Sequence, residues 1–98
     1  MFTGTCTVTL HLPMSQSLKD KRQVVKSLLA RLRNQFEVAA AEVDYVDLRQ
    51  LAKLGLASVS GDAGHAEDVL RHAVRFIEET RPDIELTDVW FDVISSGE

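Results

Sequence analysis

From Thr5 to Leu12 the chain reads TCTVTLHL, with Cys6, Val8, Leu10 and Leu12 alternating against Thr5, Thr7, Thr9 and His11, and this two-residue period constrains the fold more than any other feature. Successive side chains of a strand point to opposite faces, so the segment must lay one face on a core and leave the other open or lightly covered. Pro13 closes it, because a residue without an N–H cannot continue a ladder of hydrogen bonds. The period then changes. Leu18, Val25, Leu28, Leu29, Leu32 and Phe36 recur at helical spacing, and Ser17 with Asp20 three residues on has the form of a capping box, which predicts a helix over 18–35.

The same switch of period continues along the chain. EVAAAEVDYV reads as a second strand with Val38 and Ala40 on one face and Ala39, Ala41 and Val43 on the other; DYVDLRQ bears turn-forming acids, and LAKLGLASVS is a third strand, apolar on both faces. Gly61 and Asp62 stop that strand and offer an N-cap to a helix over 64–80, whose inner stripe is Ala66, Val69, Leu70, Ala73, Phe76 and Ile77. Pro82 ends this helix. In IELTDVWFDVIS, the fourth strand, Val89, Phe91 and Val93 face one way and Trp90, Asp92 and Ile94 the other. Strand, helix, strand, strand, helix, strand within 98 residues predicts an α+β, ferredoxin-like two-layer sandwich. Right-handed crossovers put strands one and three in the centre of a four-stranded antiparallel sheet of order 4-1-3-2, with both helices on one face, as a single domain over residues 1–98.

Several function classes drop out on composition. No apolar run approaches the roughly 18 to 20 residues of a spanning helix, and the N-terminus alternates where a signal peptide would be continuously apolar, so the expected location is cytoplasmic and no membrane partner is expected. Cys6 is the only cysteine, which excludes an internal disulfide and reads as a small buried hydrophobe. No His or Cys cluster has zinc spacing, and Glu42, Asp44, Asp47 and Asp62, gathered around turns, read as solvated or capping acids and not as a magnesium site. His11, His65 and His72 have no nucleophile or carboxylate at a spacing that defines a catalytic dyad. Acylphosphatases share the size and topology but need a glycine-rich loop after the first strand, and LPMSQSLKDKR has no glycine. No catalytic residue, metal or cofactor is expected.

The segments SLKDKRQVVKSLLARLRNQF, AAAEVDYVDLRQLAKLGLASVSGD and VLRHAVRFIEE resemble the YlxP-like family of small bacterial proteins, for which no function is known. The resemblance runs from the first strand to the end of the second helix. It implies a ferredoxin-like fold and a genomic setting near translation and ribosome-maturation factors. No catalytic or ligand residues are established for the family, so none is carried over.

Charge is unevenly spread. Residues 1–36 hold six cations and one acid, net +5, whereas residues 37–98 hold five cations and fourteen acids, net −9. On a helical wheel Arg22, Lys26 and Arg33 fall within about 60° of Lys19, beside the sector that carries the leucines. Like charges on one stripe repel by a few tenths of a kcal/mol per pair, and Asp20 cannot neutralise them all. The second helix provides a control: Glu67 and Arg71, Asp68 and His72, and Arg75 and Glu79 are opposite charges at i,i+4 spacing. The expected function is therefore a non-catalytic binding module. It uses Lys19, Lys21, Arg22, Lys26 and Arg33 to hold phosphates of ribosomal or other structured RNA, or to engage a translation-associated protein, with no DNA expected. The alternative is a protein-interaction module that binds no nucleic acid. A two-layer fold leaves one sheet face without helices; there Thr5, Thr7, Thr9 and Trp90 are expected to form a homodimer interface.

Overall fold

The computed structural model describes residues 1–97 and contains β1 (Phe2–His11), α1 (Leu18–Gln35), β2 (Ala39–Asp44), β3 (Leu51–Ser60), α2 (Ala63–Thr80) and β4 (Glu85–Ser95). The strands form one antiparallel sheet in the order β2-β3-β1-β4, with β1 and β3 central, as the crossover rule requires. β1 pairs with β3 from Phe2 opposite Ser60 to His11 opposite Leu51, and with β4 from Phe2 opposite Ser95 to His11 opposite Glu85, with a bulge between Thr9 and Leu10. The two helices and their bounds agree with the periodicity to within a residue. β2 is shorter than its apolar run because Tyr45 adopts a left-handed conformation, φ 60°, and turns the chain out of the sheet.

Alternation decides what is buried. Cys6, Val8 and Leu10 of β1 and Ala52, Leu54 and Leu56 of β3 point inward, against Val25, Leu28, Leu29 and Leu32 of α1 and Leu70, Ala73, Val74 and Ile77 of α2. α2 packs tightly on the sheet at Gly4, where a Cβ would stand 2.9 Å from Leu70 Cδ1 and 3.1 Å from the Ala66 carbonyl oxygen. Beside it the buried Ser58 hydroxyl donates to that same carbonyl at 2.8 Å, which satisfies the one polar side chain that β3 sends into the core. The opposite face of the sheet has no helix on it.

Candidate functional site

The basic segment starts at a well-made helix N-terminus. Ser17 Oγ accepts from the Asp20 N–H at 3.1 Å, and the Asp20 carboxylate accepts in return from the Gln16 N–H at 3.2 Å, one residue earlier than a reciprocal capping box would reach. The one acid of the segment is thus occupied by backbone. It makes no ion pair with the cations that follow, although it sits among them.

Lys21 departs from the expectation that it belongs to an external binding surface. Its side chain is 0% exposed, and Nζ donates to Glu42 Oε2 at 3.0 Å and to the carbonyl oxygens of Tyr45 at 2.7 Å, Val46 at 3.2 Å and Leu51 at 3.0 Å. A buried ammonium is tolerated only when paired and hydrogen-bonded, and four acceptors surround its three protons. No N–H remains for an outside anion. The wheel holds the signal for this: Lys21 falls at about 200° from Lys19, inside the leucine sector and off the basic stripe. The arrangement holds the β2–β3 connection, where the Asp44 carboxylate accepts from the Tyr45 N–H and the Leu48 N–H donates to the Tyr45 carbonyl. The segments SLKDKR and AEVDYVDL therefore meet at one nitrogen.

The other cations remain outside. Arg22, Lys26 and Arg33 line one side of a groove of about 310 Å³ between α1 and the edge strand β2, with Val25 and Leu29 at its base and Glu42 opposite. Among the described residues, no carboxylate lies within ion-pair distance of Lys19, Arg22, Lys26 or Arg33. Glu42 is the one acid in the groove, and its carboxylate is held by Lys21. Arg33 is partly engaged: Nε and Nη2 both donate to the Ala40 carbonyl, Nε at 3.1 Å, which ties the end of α1 to the edge strand and holds the guanidinium over the groove. Arg31 leaves the row and lies 5.1 Å over the Phe76 ring.

On the helix-free face the registers bring Thr5, Thr7 and Thr9 of β1 beside Asp92, Trp90 and Asp88 of β4. Trp90 is 56% exposed, and Val43, Val59 and Ile94 on the same face are also exposed. The remaining polar candidates have local employment. Asp62 accepts from the His65 N–H at the start of α2, and His11 Nδ1 lies 3.0 Å from Glu85 Oε1. Burial pushes the Cys6 thiol up to about 11, with Arg71 pulling weakly the other way, so the sulfur stays protonated and unreactive near neutral pH.

The pattern that describes this architecture in sequence is found over most of the chain: residues 3–90 match the model of a protein family described as protein of unknown function, DUF503. The chain belongs to the DUF503 family. A curated relative of this DUF503 chain is the uncharacterized protein YlxP of Bacillus subtilis (strain 168), 39% identical over 71 residues that span 72% of this chain and 76% of that one. Among solved structures, a de novo designed protein with a ferredoxin fold superposes with a TM-score of 0.58 and 14% identity, over 98% of this chain and 88% of that one. The DUF503 chain thus has the ferredoxin-like α+β fold that its periodicity predicts.

Proposed function

We propose that this protein is a non-catalytic binding module whose α1–β2 groove holds the phosphate backbone of ribosomal or other structured RNA. The observation that carries the reading is the row Arg22, Lys26 and Arg33, continued by Lys19, which has no carboxylate partner among the described residues and which flanks a groove whose one acid is already neutralised. Keeping like charges together on one stripe costs stability unless something outside the chain offsets it. Cations in a line match a backbone and carry no base information, so the expected selectivity is for shape and charge more than for sequence. The rest of the molecule is acidic, and its field steers a polyanion toward this strip. The translation-linked genomic setting implied by the family resemblance agrees with a ribosomal ligand.

The test is a salt titration of binding to ribosomal particles and to a structured RNA, comparing wild type with a Lys19→Glu, Arg22→Glu, Lys26→Glu variant. Lys21 is excluded from the set because its removal acts on the fold. Wild-type affinity should fall steeply with salt, and each phosphate-contacting cation removed should make the log–log slope shallower by about one. A folded triple variant that sediments with ribosomal particles as wild type does would overturn the proposal.

A further inference from the structure

The sheet face away from the helices is a hollow beside a projection. Rows across the sheet read Trp90, Thr7, Gly55, Ala41 and, one step along, Asp92, Thr5, Ala57, Ala39, in the strand order β4, β1, β3, β2. Toward β2 these rows contain only small residues, and they floor an apolar depression of about 510 Å³. Gly55 makes room for Val43, which leans over it and lines the depression; a Cβ at Gly55 would stand 2.9 Å from Val43 Cγ1. Toward β4 the same face carries the half-exposed Trp90. Trp90 lies three strands from Ala41, about 14 Å at the usual strand spacing, and cannot fill its own hollow.

The charged residues of this face lie one row beyond Trp90. Asp88, Thr9, Lys53 and Asp44 occupy one row in the strand order β4, β1, β3, β2, and none of the three charged groups has an ion-pair partner among the described residues. A two-fold axis parallel to the strands, running between β1 and β3, lays β4 of each copy over β2 of the other with rows in step. Trp90 then meets Ala41 and Ala39, and Asp88 lies over Asp44 with Lys53 one strand spacing away, so that each Lys53 stands between its own Asp44 and the partner's Asp88. An axis across the strands would instead stack β4 on β4 and set Trp90 against Trp90, leaving the hollow of each copy open. Four strands at ~4.8 Å by roughly eight residues at ~3.3 Å give about 500 Å² per copy, or about 1,000 Å² in total, the lower bound for a specific interface.

We propose that this face is the two-fold interface of a homodimer in which each Trp90 seats in the other copy's hollow. The interface uses the opposite side of the sheet from the basic groove and none of its residues, so the two proposals fail independently.

Sedimentation velocity on the full chain tests it. Wild type should be a concentration-dependent dimer with a dissociation constant below about 100 µM. Trp90→Ala should weaken association roughly 30-fold or more, as expected for a central aromatic anchor. Ala41→Glu, which puts a charge into the hollow from a different strand, should give a monomer with an unchanged circular dichroism spectrum. Lys53→Asp, which removes the cation between Asp44 and the partner's Asp88, should also weaken the dimer. A monomeric wild type, or a dimer whose constant moves with neither Trp90→Ala nor Ala41→Glu, overturns the proposal, and a Lys53→Asp variant that associates as tightly as wild type overturns the axis.

Discussion

α1 and α2 are 18 residues each and cover the same face of one sheet, yet they dispose of charge differently. On α2, Arg71 pairs with Glu67 at 3.0 Å and its guanidinium lies 4.4 Å over the Phe91 ring of β4. Just beyond the helix, Arg81 and Asp83 form a two-point pair at 2.9 and 3.0 Å. The i,i+4 expectations for Asp68 with His72 and for Arg75 with Glu79 do not appear as ion pairs. On α1, one cation is wholly committed inside the protein and its neighbour in sequence is wholly outside. Lys21 and Arg22 are adjacent in the chain and about 100° apart around the helix, enough to separate a structural post from a free surface charge. The difference teaches that a count of cations on a helix says little until each is assigned a direction.

The contrast is broken most severely at Lys21. Lys21→Ala leaves Glu42 and three carbonyl oxygens without their donor, and about 3 kcal/mol or more of unfolding free energy should be lost in urea denaturation. Lys19→Ala, two residues earlier and exposed, should change stability by no more than about 0.5 kcal/mol. If both substitutions behave alike, the division of α1 into an inner and an outer cation is wrong.

A smaller and sharper comparison sets the helices against each other. Arg71→Ala removes an i,i+4 ion pair and a contact with an aromatic face and should cost about 0.5–1 kcal/mol. Lys26→Ala relieves repulsion from Arg22 four residues earlier and should be neutral or stabilising by a few tenths of a kcal/mol. The opposite signs, read from denaturation midpoints at low salt, are the prediction, and both effects should shrink as salt screens them.

The least effect belongs to Asp83. Its hydrogen bond to Arg81 holds the carboxyl below its ordinary value of 3.8. The folded chain therefore binds that proton less readily than the unfolded chain, so the contribution is complete above the ordinary value and fades as pH falls through the lowered one. The group is exposed, so Asp83→Asn should produce only a slight reduction in the acid dependence of the urea midpoint below that pH.

Much of this molecule was legible before any coordinate. The period-two runs placed Cys6, Val8 and Leu10 on the core face and Thr5, Thr7 and Thr9 on the open one, because strand geometry ties face to parity. Helical spacing located both helices, and Gly61 with Asp62 marked where α2 starts. The short β2 was not legible: nothing in EVAAAEVDYV announces that Tyr45 takes a left-handed turn, since its carbonyl is held by a hydrogen bond from a lysine 24 residues away. The basic row of the candidate groove was readable as a stripe on one helix, but its being a groove depends on the edge strand β2 lying alongside.

The sequence alone determined the order of elements, the inward and outward faces of β1 and of the helices, and the stripe of cations on the first helix, because these follow from periods that local backbone geometry imposes on side-chain direction. Tertiary structure alone decided that Lys21 is buried, that Glu42 is neutralised and that Trp90 stands across the sheet from a hollow of small residues. A long amphipathic side chain at an inward position can either snorkel to water or be buried if acceptors await it. The acceptors for Lys21 come from Glu42, Tyr45, Val46 and Leu51, and only the folding of β2 and β3 beside α1 brings them to one point.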